Sequence, residues 1–117
     1  ADWQKDMGMT VTENWITAYG DIDAVFANND EMALGAINAL QEAGMTETLV
    51  IGIDGTKGAL DAIKAGTLAG SVFQDAEGQA KGAMEIAVKT ASGEEIAEQI
   101  KWIPFILITP ENVGDFE

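Results

Sequence analysis

Apolar and polar positions along this chain follow two different periods. From about Gln4 to Tyr19 the residues Met7, Val11, Trp15 and Tyr19 recur every fourth position with Ile16 beside them, the stripe of an amphipathic helix that Gly20-Asp21 ends. Three short apolar runs have no such period: Ala24-Val25-Phe26-Ala27, Leu49-Val50-Ile51-Gly52-Ile53 and Leu68-Ala69-Gly70-Ser71-Val72-Phe73. Each reads as a buried strand, and the second is apolar enough to predict helices on both of its faces. Helical patterns are predicted at about 30–43, 57–65 and 76–91, closed by Gly44, Gly66 and Ser92-Gly93. Strands alternating with helices predict an α/β fold, a parallel sheet between two helical layers.

Every strand is followed by polar residues. Asn28-Asn29-Asp30 follows the first, Asp54-Gly55-Thr56 the second and Gln74-Asp75 the third. The spacings are close to that of a βαβ unit, so right-handed crossovers would bring Asn29, Asp54 and Gln74 to one edge of the sheet. In open α/β sheets the crevice outside the carboxyl ends of the strands is where ligands bind. Some of these groups must also serve structure: Asp30 or Asn29 can cap the following helix, Asn28 and Asp30 read as cap and turn residues, Asp75 as an N-cap, and Asp54 could be a turn residue ahead of Gly55. Trp3, upstream of the helical stripe, is either a core plug or a ring exposed at the edge of the site.

The C-terminal part changes character. Glu94-Glu95-Ile96-Ala97-Glu98-Gln99 reads as loop or weak helix, and Trp102 to Ile108 reads as a last strand. Pro104 confines that strand to an edge, or delays its pairing to Phe105. Thr109-Pro110-Glu111-Asn112 opens a short final turn.

Composition narrows the chemistry. The 117 residues fit one domain, and 47% hydrophobic content suffices for a core. Twenty acidic residues against six basic ones give a net charge of −14, a surface that repels phosphate backbones and anionic lipid. With no cysteine and no histidine, disulfides, thiol catalysis, Ser-His-Asp triads and His-metal sites are excluded. The sequence contains no run of apolar residues long enough for a membrane helix. It opens on Ala1-Asp2-Trp3, which suggests a fragment or a processed chain.

The three strand-tip motifs, Val25 to Gly35, Val50 to Thr56 and Ala69 to Asp75, together with Thr109-Pro110-Glu111-Asn112-Val113, resemble the second half of the ribose- and galactose-type periplasmic sugar-binding proteins of ABC importers. The resemblance runs the length of the chain. It implies half of a type I periplasmic binding fold, in which two lobes close on a sugar. It makes Trp3 the stacking ring and Asn29, Asp54 and Gln74 the hydrogen-bonding partners of a monosaccharide. Such a sugar offers an apolar face to Trp3 and hydroxyls that suit a carboxylate and two amides. The resemblance further implies that 1–74 is part of the C-terminal lobe, 75–108 a helix and strand of the N-terminal lobe, and 109–117 a tail. An ABC permease would be the membrane partner, and the location periplasmic or extracellular, lipid-anchored in Gram-positive bacteria.

Two departures stand out. The arginine of ribose-type members is absent, and the loop that completes a calcium site with the residue at Asp23 in galactose-type members is missing, so neither metal nor cofactor is expected. No catalytic residue is expected either. Open strand edges would recruit a second copy or a companion lobe. Two other functions fit the residues: the effector domain of a lac-repressor-type regulator, and Mg²⁺-assisted phosphoryl transfer on Asp30, Asp54 and Asp75.

Overall fold

The computed structural model describes residues 1–97 and 100–116. The chain divides into two compact units, one of residues 1–73 and 106–117, the other of residues 74–105. In the first unit the elements are α1 (Lys5–Tyr19), β1 (Ala24–Phe26), α2 (Asp30–Glu42), β2 (Leu49–Asp54), α3 (Lys57–Lys64), β3 (Gly70–Phe73) and β4 (Ile106–Ile108), then a 3₁₀ turn at Val113–Phe116. The second unit is built on α4 (Ala76–Ala91).

The sheet has the order β1-β2-β3-β4. β1, β2 and β3 are parallel, as the alternation of strands and helices requires, with Val25 opposite Val50 and Gly52 opposite Ser71. β4 departs from the all-parallel expectation. It runs antiparallel to β3, Ser71 facing Ile108, because the chain leaves β3 at Phe73 and re-enters the sheet opposite that residue, at Ile106.

The same pairing shifts the expected boundaries. The second unit begins at Gln74 and ends at Phe105, so Ile106–Ile108, expected with the other lobe, belongs to the sheet of the first unit. Apolarity gives no address: Ile103 and Ile108 look alike in sequence, but only the latter half of the run finds an open strand edge at β3. Of the acidic stretch before it, Glu98 and Gln99 lie outside the described residues.

One sheet face carries the core. Val25, Val50 and Ile108 on the strands meet Ala33, Ile37 and Leu40 of α2 and Leu60 and Ile63 of α3. Phe73 packs against this cluster and makes an edge contact with Phe116. Of the helical cover expected on both faces of β2, this side carries α2 and α3. On the opposite face Phe26, Leu49 and Leu107 remain 63%, 61% and 52% exposed.

The stripe expected on α1 is also displaced. Met7, Trp15 and Tyr19 are exposed, whereas Gly8 and Thr12 are the buried positions. Small residues explain the shift: a Cβ at Gly8 would lie 2.6 Å from the Met32 carbonyl oxygen, and one at Gly35 2.1 Å from that of Lys5. α1 and α2 therefore meet backbone to backbone, and the bulky stripe is turned aside from the contact.

In the second unit Asp75 caps α4, its Oδ1 accepting the Gly78 N–H at 2.8 Å. Gly78 leaves room for that cap rather than for a neighbouring helix, since a Cβ there would lie 2.2 Å from the Asp75 carboxylate. At Gly82 a Cβ would lie 3.3 Å from the stem of Lys101. Lys101 pairs with Glu85, and this ammonium holds the Glu85 carboxyl below the usual carboxylate range.

Candidate functional site

Parallel β1, β2 and β3 end at the same edge of the sheet, and the polar tips follow from that. Asn29 is the N-cap of α2, one of the two residues, with Asp30, that could fill that role from sequence. Its Oδ1 accepts the Met32 N–H at 3.0 Å, and its Nδ2 donates to the Trp3 carbonyl at 3.4 Å. Geometry decides between the three neighbours: the cap must be the last extended residue, and Asn29 has φ −157° and ψ 166° while Asp30 is already helical. One N–H and one lone pair of the amide are not used by these two bonds.

That second bond ties the N-terminal segment to the end of β1. Trp3 is 71% exposed, which excludes the core-plug reading. Its ring borders an apolar groove of about 370 Å³, shared with Val11, Trp15, Phe26, Met32 and Ala36. The groove runs along β1 and α1 and does not include Asn29 or Asp54.

Asp54 is the last residue of β2, half-buried, with φ +127°. Gly55 follows at φ +74°, a conformation an L side chain resists, and a Cβ there would also lie 2.7 Å from the Phe73 ring. The turn is held by its own amides. Gly55 N–H donates to Ser71 Oγ at 3.1 Å, and Thr56 N–H donates to Asp30 Oδ2 at 2.7 Å. The Ser71 hydroxyl donates in turn to Asp30 Oδ1 at 2.6 Å. Thr56 Oγ1 accepts the Ala59 N–H, capping α3.

The junctions after β1 and β2 are thus bonded to each other. Gln74 directly follows β3 and opens the second unit, its carbonyl accepting the Ala76 N–H at 2.7 Å. Sequence reasoning assigned Asp30 to the helix cap and missed its role as a buried link. The clue was there: Gly52, inside an otherwise β-branched strand, marks a place where something approaches closely.

Among the described residues no group of three or more acidic side chains is placed to hold a metal ion. Asp30 is buried and bonded to Thr56 and Ser71, and Asp75 caps α4, which engages in structure two of the three carboxylates on which phosphoryl transfer was weighed. Among the described residues no helix is long and apolar enough to cross a membrane.

Comparison with known proteins gives a consistent picture. The profile of the periplasmic binding protein domain matches residues 1–95. The chain is 48% identical over 119 residues to a putative rhizopine-binding protein of Rhizobium meliloti, covering 100% of this chain and 38% of that protein. It is 43% identical over 96 residues to a ribose import binding protein of Salmonella typhimurium, covering 82% of this chain and 32% of that protein.

Among solved structures, an ABC transporter solute-binding protein of Bacillus halodurans with bound myo-inositol superposes with a TM-score of 0.87 at 47% identity, over 97% of this chain and 39% of that one. A periplasmic solute-binding protein of Actinobacillus succinogenes with bound D-allose gives a TM-score of 0.90 at 31% identity, over 98% and 41%. The chain spans about two fifths or less of the length of these relatives.

Proposed function

The chain belongs to the periplasmic binding protein domain family, and from that premise we propose that it supplies part of the ligand surface of a non-enzymatic solute-binding protein serving an ABC importer. The guest is a monosaccharide or a cyclic polyol. The observation that carries the reading is that Asn29 and Asp54 stand at the carboxyl ends of neighbouring parallel strands, in junctions joined by the bond from Thr56 N–H to Asp30 Oδ2. Trp3, tied to Asn29 and exposed, is the stacking ring, and Gln74 is a further amide partner. A carboxylate that accepts two hydroxyl protons and amides that both donate and accept match the rim of a polyol.

The bound molecules of the similar structures, myo-inositol and D-allose, share that chemistry. The names of the relatives, binding and import proteins, favour this reading over the effector domain of a regulator. On the same reading residues 74–105 belong to the opposing lobe, and the protein works in the periplasm or at the cell exterior beside a membrane permease.

The isolated chain is expected to bind weakly, with a dissociation constant of about 1 mM or higher, since most partners of a two-sided clamp lie outside it. Amide shift changes on titration with myo-inositol or D-ribose measure this. Asp54→Asn should weaken the response about tenfold, the worth of a hydrogen bond to a charged group. Micromolar binding by the chain alone would refute the dependence on a second lobe, and a flat response at Asn29, Asp54 and Gln74 to every polyol would refute the site.

A companion segment also explains the unburied surface. β1 is an edge strand of the sheet, and Phe26, which also lines the groove, and Leu49 are exposed beside it. Alone, the chain is expected to self-associate there, measured by light scattering as a mass that rises with concentration. A constant monomer mass at high concentration would count against it.

A further inference from the structure

We infer that Asp30 is a positioning residue for binding: its buried carboxylate holds the β2–α3 turn in the conformation that presents Asp54. The inference rests on the reading of Asp54 as a ligand residue. An aspartate at the first position of a helix ordinarily points to solvent, where the helix dipole favours it. Asp30 instead is 0% exposed, and its carboxylate is bonded outside its own helix. Its two oxygens reach the Thr56 amide and the Ser71 hydroxyl, 26 and 41 residues away in sequence.

The chain makes room for this. A Cβ at Gly52 would lie 2.3 Å from Asp30 Oδ1, so a side chain in the middle of β2 would evict the carboxylate. Burying a charge is costly unless all its bonds are made, and here the bonds converge on one turn. The two amides that follow Asp54 both end in this network: Gly55 N–H on Ser71 Oγ, which itself donates to Asp30, and Thr56 N–H on Asp30 directly.

Those bonds grip the least favourable backbone in the sheet. Asp54 at φ +127° and Gly55 at φ +74° are consecutive positive angles, and a non-glycine residue persists there only where its surroundings over-determine it. Without Asp30 the turn would relax toward ordinary extended geometry and carry Asp54 away from its place beside Asn29's junction.

The test is nuclear magnetic resonance on the ¹⁵N-labelled chain, comparing wild type with Asp30→Asn and Ser71→Ala. In the variants the core amides of Val25, Ile63 and Ile108 should stay in place. The Gly55 and Thr56 amides should exchange with solvent about tenfold faster, the HN–Hα coupling of Asp54 should leave its wild-type value, and the myo-inositol response should weaken about tenfold. If Asp30→Asn does not fold, Ser71→Ala, which removes one arm and keeps the carboxylate, carries the comparison.

Unchanged coupling and exchange in the folded variants overturn the inference. So does a loosened turn with undiminished affinity, which would make Asp30 merely structural. A wild-type chain that answers to no polyol would sink the ligand reading alone. Coupling and exchange at the turn would then still decide whether Asp30 holds it.

Discussion

Gly35→Ala should destabilise the first unit by about 3 kcal/mol, at the upper end of what overpacking costs. The expectation runs against local propensity, since alanine is better than glycine in a helix by about 1 kcal/mol. Space decides the sign. The added methyl would lie 2.1 Å from the Lys5 carbonyl oxygen and 2.8 Å from the Met9 nitrogen, both main-chain atoms of α1 that cannot swing aside as a side-chain tip could. α1 must therefore lift from α2, and the bond from Asn29 to the Trp3 carbonyl goes with it. Urea denaturation followed by tryptophan fluorescence measures the change, Trp15 being carried on α1. A variant as stable as wild type, or more so, would mean that the two helices are not in backbone contact.

Truncating Ile108 should be nearly as damaging. Ile108→Ala is expected to cost about 3 kcal/mol, as for other fully buried isoleucines, because the side chain is 0% exposed and sits in the main core cluster. The informative comparison is with its neighbours. Ile106→Ala and Leu107→Ala, on the same three-residue strand but largely exposed, should each stay within about 1 kcal/mol of wild type. Denaturation midpoints of the three variants give the answer directly. Equal losses at all three positions, or none at Ile108, would show that β4 does not close the sheet of the first unit.

Much of the secondary structure was legible before any coordinates. Period-four apolarity marked α1, and β-branched runs ending in Asn, Asp and Gln marked β1, β2 and β3 with their tips at one edge. Motif likeness then pointed to the family that the profile match establishes. The errors have a common origin. The stripe on α1 was read as its buried face, though Gly8 and Gly35 carried the contact, because periodicity counts large side chains and is blind to main-chain approach. β4 was assigned to the other lobe because an apolar run does not say which strand edge it will meet. Asp30 was read as a local cap because no short-range pattern announces a bond that spans 41 residues.

What the amino-acid order determined by itself is therefore local: where strands and helices start and stop, which residue types stand at the tips, and which chemistries are impossible without cysteine or histidine. These depend on backbone preferences and on side-chain identity, which act over a few residues. Tertiary structure alone decided that Asn29 rather than Asp30 caps α2, that Asp30 turns inward to Thr56 and Ser71, and that β4 returns antiparallel to β3. Those outcomes are settled by competition for space and hydrogen-bond partners between segments far apart in sequence, a contest that exists only once the sheet has brought them together.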